Sequence, residues 1–187
     1  MTVGSDALTD VYAKLNWATN RHEEMMVIFE EYAKPGGGDE RPIGIRFREA
    51  DKPAGWTVAF FNVDRAMPLE MSLLAADVVH NARVALDHVL ARLKDRFGGD
   101  PGRGSFPTWQ TDEEWQNQVV KKEKGGALDG LDSSAVDLIY AEQPLHHAPP
   151  EADPLVILNK LDNVDKHRLL HPAFIYTVVE DRHPARA

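Results

Sequence analysis

The chain contains no cysteine. Disulfides, thiolate nucleophiles, thiolate zinc sites and cysteine-ligated clusters are therefore excluded, and a reducing compartment is compatible with the composition. Long apolar runs are missing too: nothing approaches the roughly 20 residues a helix needs to cross a bilayer. The start, Met1-Thr2-Val3-Gly4-Ser5-Asp6, lacks the basic segment and apolar stretch of a signal peptide. A cytoplasmic protein with no membrane partner is the expectation. Basic residues are outnumbered, 21 Lys and Arg against 30 Asp and Glu, for a formal net charge of -9. That balance opposes broad attraction to nucleic acid or anionic lipid. Aromatic residues are only 8% of the chain, and without interspersed basic residues Trp56, Phe60, Phe61, Trp109 and Trp115 make no stacking platform for bases. The glycine runs at 36–38 and 98–104 lack the Lys-Ser/Thr end of a phosphate loop. No strong metal-ligand spacing and no cofactor motif is present; a metal site built from His22, Asp77 and His88 would need convergence in three dimensions.

What remains is an ordinary globular composition, 43% hydrophobic and 27% charged over 187 residues. One domain spanning 1–187 is expected, with 1–7 and 181–187 as flexible ends. Residues 8–33 read as a helix. Val11, Leu15, Ala18, His22, Met25, Phe29 and Tyr32 recur at spacings of three and four and predict one buried seam. Thr9 or Ser5 is the expected cap, and Pro35 with the glycines after it ends the helix. Ile43, Ile45 and Phe47 alternate with Gly44, Arg46 and Arg48, and residues 56–63 are rich in aromatic and β-branched side chains, so a hairpin is expected. A long helix opens at Pro68-Leu69-Glu70 and runs to about Arg96. Others are predicted from Thr111, which forms a capping-box pattern with Glu114, from Ser133 or Ser134, and from Asp153-Pro154. Asp162-Asn163 is expected to break or recap the last of these, His146-His147 to lie in a surface loop, and 174–179 to form a final strand. The expected class is α+β, mostly α: a helical bundle-like core with a small antiparallel sheet made from the early hairpin and the C-terminal strand.

The densest polar stretch lies inside the long helix. Asp77, His80, Asn81, Arg83, Asp87 and His88 follow one another within twelve residues. At about 100° per residue, Asp77, Asn81, His88 and Arg92 fall on one flank of the apolar stripe, while His80, Arg83 and Asp87 fall on the other, more exposed side. Arg83 and Asp87, four apart, read most simply as an exposed ion pair. Polar groups bordering a buried stripe must be bonded or hydrated, so the first flank is either a polar network that fixes helix packing or the wall of a cleft. His22, sitting where leucine is expected, is placed to approach it if the first and long helices pack antiparallel. A second dense stretch, Asp165-Lys166-His167-Arg168, supplies cations for an anion and a histidine able to move a proton near neutral pH. The predicted ligand-binding set is His22, Asp77, His80, Asn81, Asp87, Lys166, His167 and Arg168. A small anionic ligand is the expected partner.

Two resemblances attach to these residues. Asp77-Val78-Val79-His80-Asn81-Ala82-Arg83-Val84-Ala85-Leu86-Asp87-His88, followed by Asp165-Lys166-His167-Arg168, resembles a bacterial and phage-borne protein family with a DxxHNxRxALDH helix and a later DKHR segment. Phe106-Pro107, Gln143-Pro144 and the leucine-bearing helix near Leu155 fit the same layout, so the likeness covers roughly residues 10–172; it implies no activity. Arg83 and His88 also resemble the Arg-x4–6-His signature of helical ribonucleases of the higher-eukaryote-and-prokaryote-nucleotide-binding (HEPN) type. That likeness implies a metal-independent ribonuclease with His88 as the general acid or base and Arg83 stabilising the transition state, and it alone implies a nucleic-acid partner. Three departures stand against it: Val84 after the arginine, the acidic composition, and the hairpin. On one helix Arg83 and His88 point about 140° apart, so a homodimer or another helix has to unite them. The third reading is a structural or interaction protein in which the same groups only lock helices together.

Overall fold

The computed structural model describes residues 8–34, 43–49, 57–63, 66–102, 104–121 and 126–166; for 43–49, 57–63 and 118–121 it describes the backbone alone. Among the described residues five α-helices carry the architecture: α1 (Thr9–Ala33), α2 (Leu69–Phe97), α3 (Asp112–Lys121), α4 (Ser133–Ala141) and α5 (Pro154–Asp165). Between α1 and α2 two strands, β1 (Ile43–Glu49) and β2 (Thr57–Val63), pair antiparallel with Ile43 opposite Val63.

The α+β expectation is overturned. Of the residues whose side chains are placed, 73% are helical and none lies in a strand. The β1–β2 backbone ribbon stands without a third strand among the described residues, so the small sheet expected to form part of the core is not seen. A lone two-stranded ribbon has too little area to form a layer of its own. The proposed closing strand at 174–179, like His167 and Arg168, lies outside the described residues.

The α1–α2 pair is the spine. Its inner seam is shifted from the predicted one. Val11, Ala18, Phe29 and Tyr32 are buried, but Leu15 and His22 are exposed, and Lys14 and Arg21 are half-buried. The seam therefore runs 11, 14, 18, 21, 25, 28, 32, the alternating three-and-four spacing of helices packed along their length. Basic residues tolerate such positions because their stems pack while their heads reach polar partners. α1 begins after Leu8, with no side-chain cap.

A larger core lies at the other end of α2. Leu90 packs there with Phe106, Trp109, Trp115, Leu128, Leu131, Ala135, Val136 and Ile139. Local capping chemistry sets the short helices. Thr111 Oγ1 accepts from the backbone N–H of Glu114 at 3.1 Å, Asp132 Oδ1 from that of Ala135 at 2.9 Å, and Asp153 Oδ1 from that of Leu155 at 2.8 Å. Asp162 does not break α5: it lies inside the helix and is 1% exposed. The chain leaves α2 through Gly98 and Gly99 and crosses under Gly130. Gly99 and Gly130 have φ of +114° and +79°, and a Cβ on Gly130 would stand 2.5 Å from the Gly99 Cα. Only glycine fits both the backbone and the approach.

Candidate functional site

α2 divides its polar residues between two faces. On the face toward α1, Lys14 Nζ donates to Asn81 Oδ1 at 3.2 Å, and Asn81 Nδ2 donates to the Asp77 carbonyl at 2.8 Å. Seven residues further along α2, His88 Nδ1 lies 2.9 Å from Asp10 Oδ2, and Arg92 donates to Asp10 through Nη2 at 2.9 Å and Nε at 3.3 Å. The hydrogen-bonded Arg92 guanidinium holds the Asp10 carboxyl below its usual range; Asp10 in turn raises Arg92. A cavity of about 290 Å³ opens beside Asp10, His88 and Arg92.

The opposite face carries Arg83, Asp87 and His80. Arg83 is 7% exposed, not the exposed partner the wheel suggested. Its Nη2 donates to the Phe106 carbonyl at 2.6 Å, while Asp87 Oδ1 accepts from the Phe106 N–H at 2.8 Å. Arg83 Nη2 and Asp87 Oδ1 are 3.4 Å apart. The pair thus serves both polar groups of one residue and suspends the segment 106–109 on α2. Gln143, fully buried, holds the far end: its Oε1 accepts from the Trp109 N–H at 2.9 Å, and the Trp109 carbonyl accepts from Leu145 N–H at 3.1 Å. The segment is fixed at two points because its backbone groups, buried and outside any helix, need partners.

Arg83 Nη1 is also buried, and it has no hydrogen-bond partner among the described residues. Arg83 lines a cleft of about 450 Å³, with the segment 106–109 on one side, Glu114 and Asn117 of α3 beside it and Asn159 of α5 across from it. That size lies within the range of small-molecule sites, about 300–1,000 Å³. Glu114 Oε2 accepts from the Gln110 N–H at 2.7 Å, which fixes the carboxylate at the cleft.

No protein family, curated protein or solved structure matches this chain.

The structure separates the residues that the sequence grouped into one pocket. Asn81 and His88 face α1. His22 is exposed on α1, and Asp77 is exposed on α2. No hydrogen bond or ion pair among the described residues joins His22 to Asp77, Asn81 or His88. Lys166 turns back along its own helix to Asp162, Nζ to Oδ2 at 2.6 Å. His80 Nδ1 lies 3.4 Å from Asp162 Oδ1, without the alignment of a hydrogen bond, so that buried oxygen has no hydrogen-bond partner among the described residues. Arg83 and His88 diverge, one to the Phe106 carbonyl and the other to Asp10, so a single chain does not bring the pair together. Among the described residues no group of three or more His, Asp or Glu side chains is placed to hold a metal ion, and no helix is long and apolar enough to cross a membrane.

His146 and His147 are engaged rather than loose. His146 Nε2 lies 2.9 Å from the Tyr140 carbonyl, and His147 Nδ1 pairs with Asp153, the residue that caps α5. Sequence reasoning missed Asp10 and Lys14, although their spacing of four on one helix was visible. It also missed Asn117 and Asn159, which lie on short helices with nothing local to mark them.

Proposed function

We propose that this chain is a small-molecule-binding domain whose inter-helical cleft takes an anionic ligand on Arg83. The observation that carries the reading is the division of labour in one guanidinium. Nη2 holds the Phe106 carbonyl, while the buried Nη1 has no hydrogen-bond partner among the described residues, in a side chain that lines a 450 Å³ cleft. A buried donor left unbonded is costly, and a charged one more so. An anion offers the acceptor that the fold withholds, and arginine is suited to carboxylate and phosphate oxygens. Asp87 keeps the guanidinium in place through its bond to the same residue, Phe106. Thr108, Asn117 and Asn159 add neutral polar groups at the cleft.

Titration of the full chain with inorganic phosphate and with acetate, followed by thermal unfolding and amide NMR, tests the reading. At a hundredfold excess over Kd, a ligand specific for the folded state adds about 2.7 kcal/mol of stability. Saturable stabilisation is expected, with shifts at Arg83, the segment 106–109 and Asn159, and with weaker binding in Arg83→Lys, which keeps the charge but loses the planar fork. Shifts confined to other residues, or no saturable response, would overturn the proposal.

A further inference from the structure

We infer that the ligand of the Arg83 cleft is a polyhydroxylated anion, a sugar phosphate or sugar acid, with its charge on Arg83 and its hydroxyls read by Glu114, Asn117 and Asn159. The inference rests on the anion reading above and adds the identity of the uncharged end. Asn117 and Asn159 line the cleft from different helices, and neither side-chain amide meets a hydrogen-bond partner among the described residues. Each amide offers two donors and an acceptor. Glu114 adds a carboxylate already oriented by Gln110. Beside an anion-binding arginine, a carboxylate is unfavourable toward a bare anion but favourable toward a ligand whose other end donates hydrogen bonds. Hydroxyls donate and accept, so one polyol satisfies the carboxylate and both amides.

A flat heteroaromatic head suits the cleft less well. Trp109 is 7% and Trp115 8% exposed, and their rings meet edge to face at 71° with centroids 5.0 Å apart. Their rings pack in the core, and Phe106, the other ring lining the cleft, is 7% exposed, so among the described residues no open ring at the cleft offers a base a stacking face. The aromatic wall gives shape to the cleft while its polar members select the ligand.

The experiment compares the affinities of the full chain for inorganic phosphate, ribose 5-phosphate, acetate, glucuronate and adenosine monophosphate. Each neutral hydrogen bond contributes about a tenfold change or less. One or both sugar anions should therefore bind at least about tenfold tighter than the corresponding simple anion. Binding by ribose 5-phosphate alone identifies the sugar-phosphate arm, and by glucuronate alone the sugar-acid arm. Asn117→Ala and Asn159→Ala should each lower the affinity for the sugar anion severalfold more than that for phosphate; an equal loss for both ligands would overturn the assignment of the hydroxyls to these amides. If simple anions bind as tightly as sugar anions, head-group recognition falls and the anion cleft stands. Tighter binding of adenosine monophosphate than of ribose 5-phosphate would replace the polyol with a base. If no anion binds at all, both readings fall together.

Discussion

The two faces of α2 use similar residues to opposite effect. Toward α1, Asp10 is met by both His88 and Arg92, and Asn81 spends its oxygen on Lys14 and its amide on a backbone carbonyl. These groups satisfy one another, and the Asp10 cluster is open to solvent, with Arg92 43% and His88 33% exposed; Asn81 is buried, and Arg21 Nε in the same seam has no hydrogen-bond partner among the described residues. Toward the segment 106–109 and α5, the polar groups are deeper and less complete. Arg83 and Asp162 are almost wholly buried, and each keeps one atom without a hydrogen-bond partner among the described residues. A saturated network at the surface is a clamp, replaceable at small cost. A buried polar group with unused capacity is expensive unless something else completes it. The contrast directs attention away from the flank on which the sequence reading concentrated.

Substitution at Arg83 should show the largest difference between the faces. Arg83→Met leaves the Phe106 carbonyl without its donor and Asp87 without its cation, an expected loss of about 3 kcal/mol in urea unfolding. A loss below about 1 kcal/mol would show that the buried face is no more critical than the clamp. Gln143→Leu, which strands the Trp109 N–H, should cost about 2 kcal/mol by the same measurement and loosen the cleft wall. On the clamp side, Asp10→Asn should cost about 1 kcal/mol or less, with the loss shrinking as salt is added.

The clamp should also carry a pH signature. Because Arg92 holds the folded Asp10 carboxyl below its unfolded value, its contribution is present above about pH 4, the ordinary aspartate range, and is lost as pH falls through the depressed folded value. Urea midpoints between pH 5 and 2.5 should fall less steeply in Asp10→Asn than in the parent chain. Parallel curves would remove Asp10 from the acid response. The smallest effect is expected at Asn117→Ala, within about 0.5 kcal/mol of the parent in stability, because its side-chain amide meets no partner among the described residues. A larger loss would place Asn117 in the framework rather than at the ligand.

Much of the helical framework was legible because its signals are local. The spacing of Met71, Leu74 and Ala85, the Thr111–Glu114 pattern and the Asp153-Pro154 start each depend on neighbours within a turn or two, although α2 buries Leu90 where the stripe expected Val89. The cap at α3 differed in one detail: Glu114 reaches the Gln110 N–H. The first seam was misplaced at Leu15 and His22 because a three-and-four pattern admits two nearly parallel stripes. The partner helix selected the one that lets Lys14 reach Asn81. The candidate site was less legible still. Arg83 and Asp87 are four apart on a helix in either environment. Whether they form a surface pair or a buried support depends on residue 106, which lies beyond the end of α2.

From its composition and short-range patterning alone, this chain specifies cysteine-free helices, their approximate limits and a crowd of charged groups on α2. Only packing decides which of those groups are dry, because burial depends on what another part of the chain lays over them. The Phe106–Trp109 backbone covers Arg83, whereas Arg92 keeps its water. Removing water changes a charged side chain from a weak surface contact into a strong demand for a partner, and that demand defines the cleft.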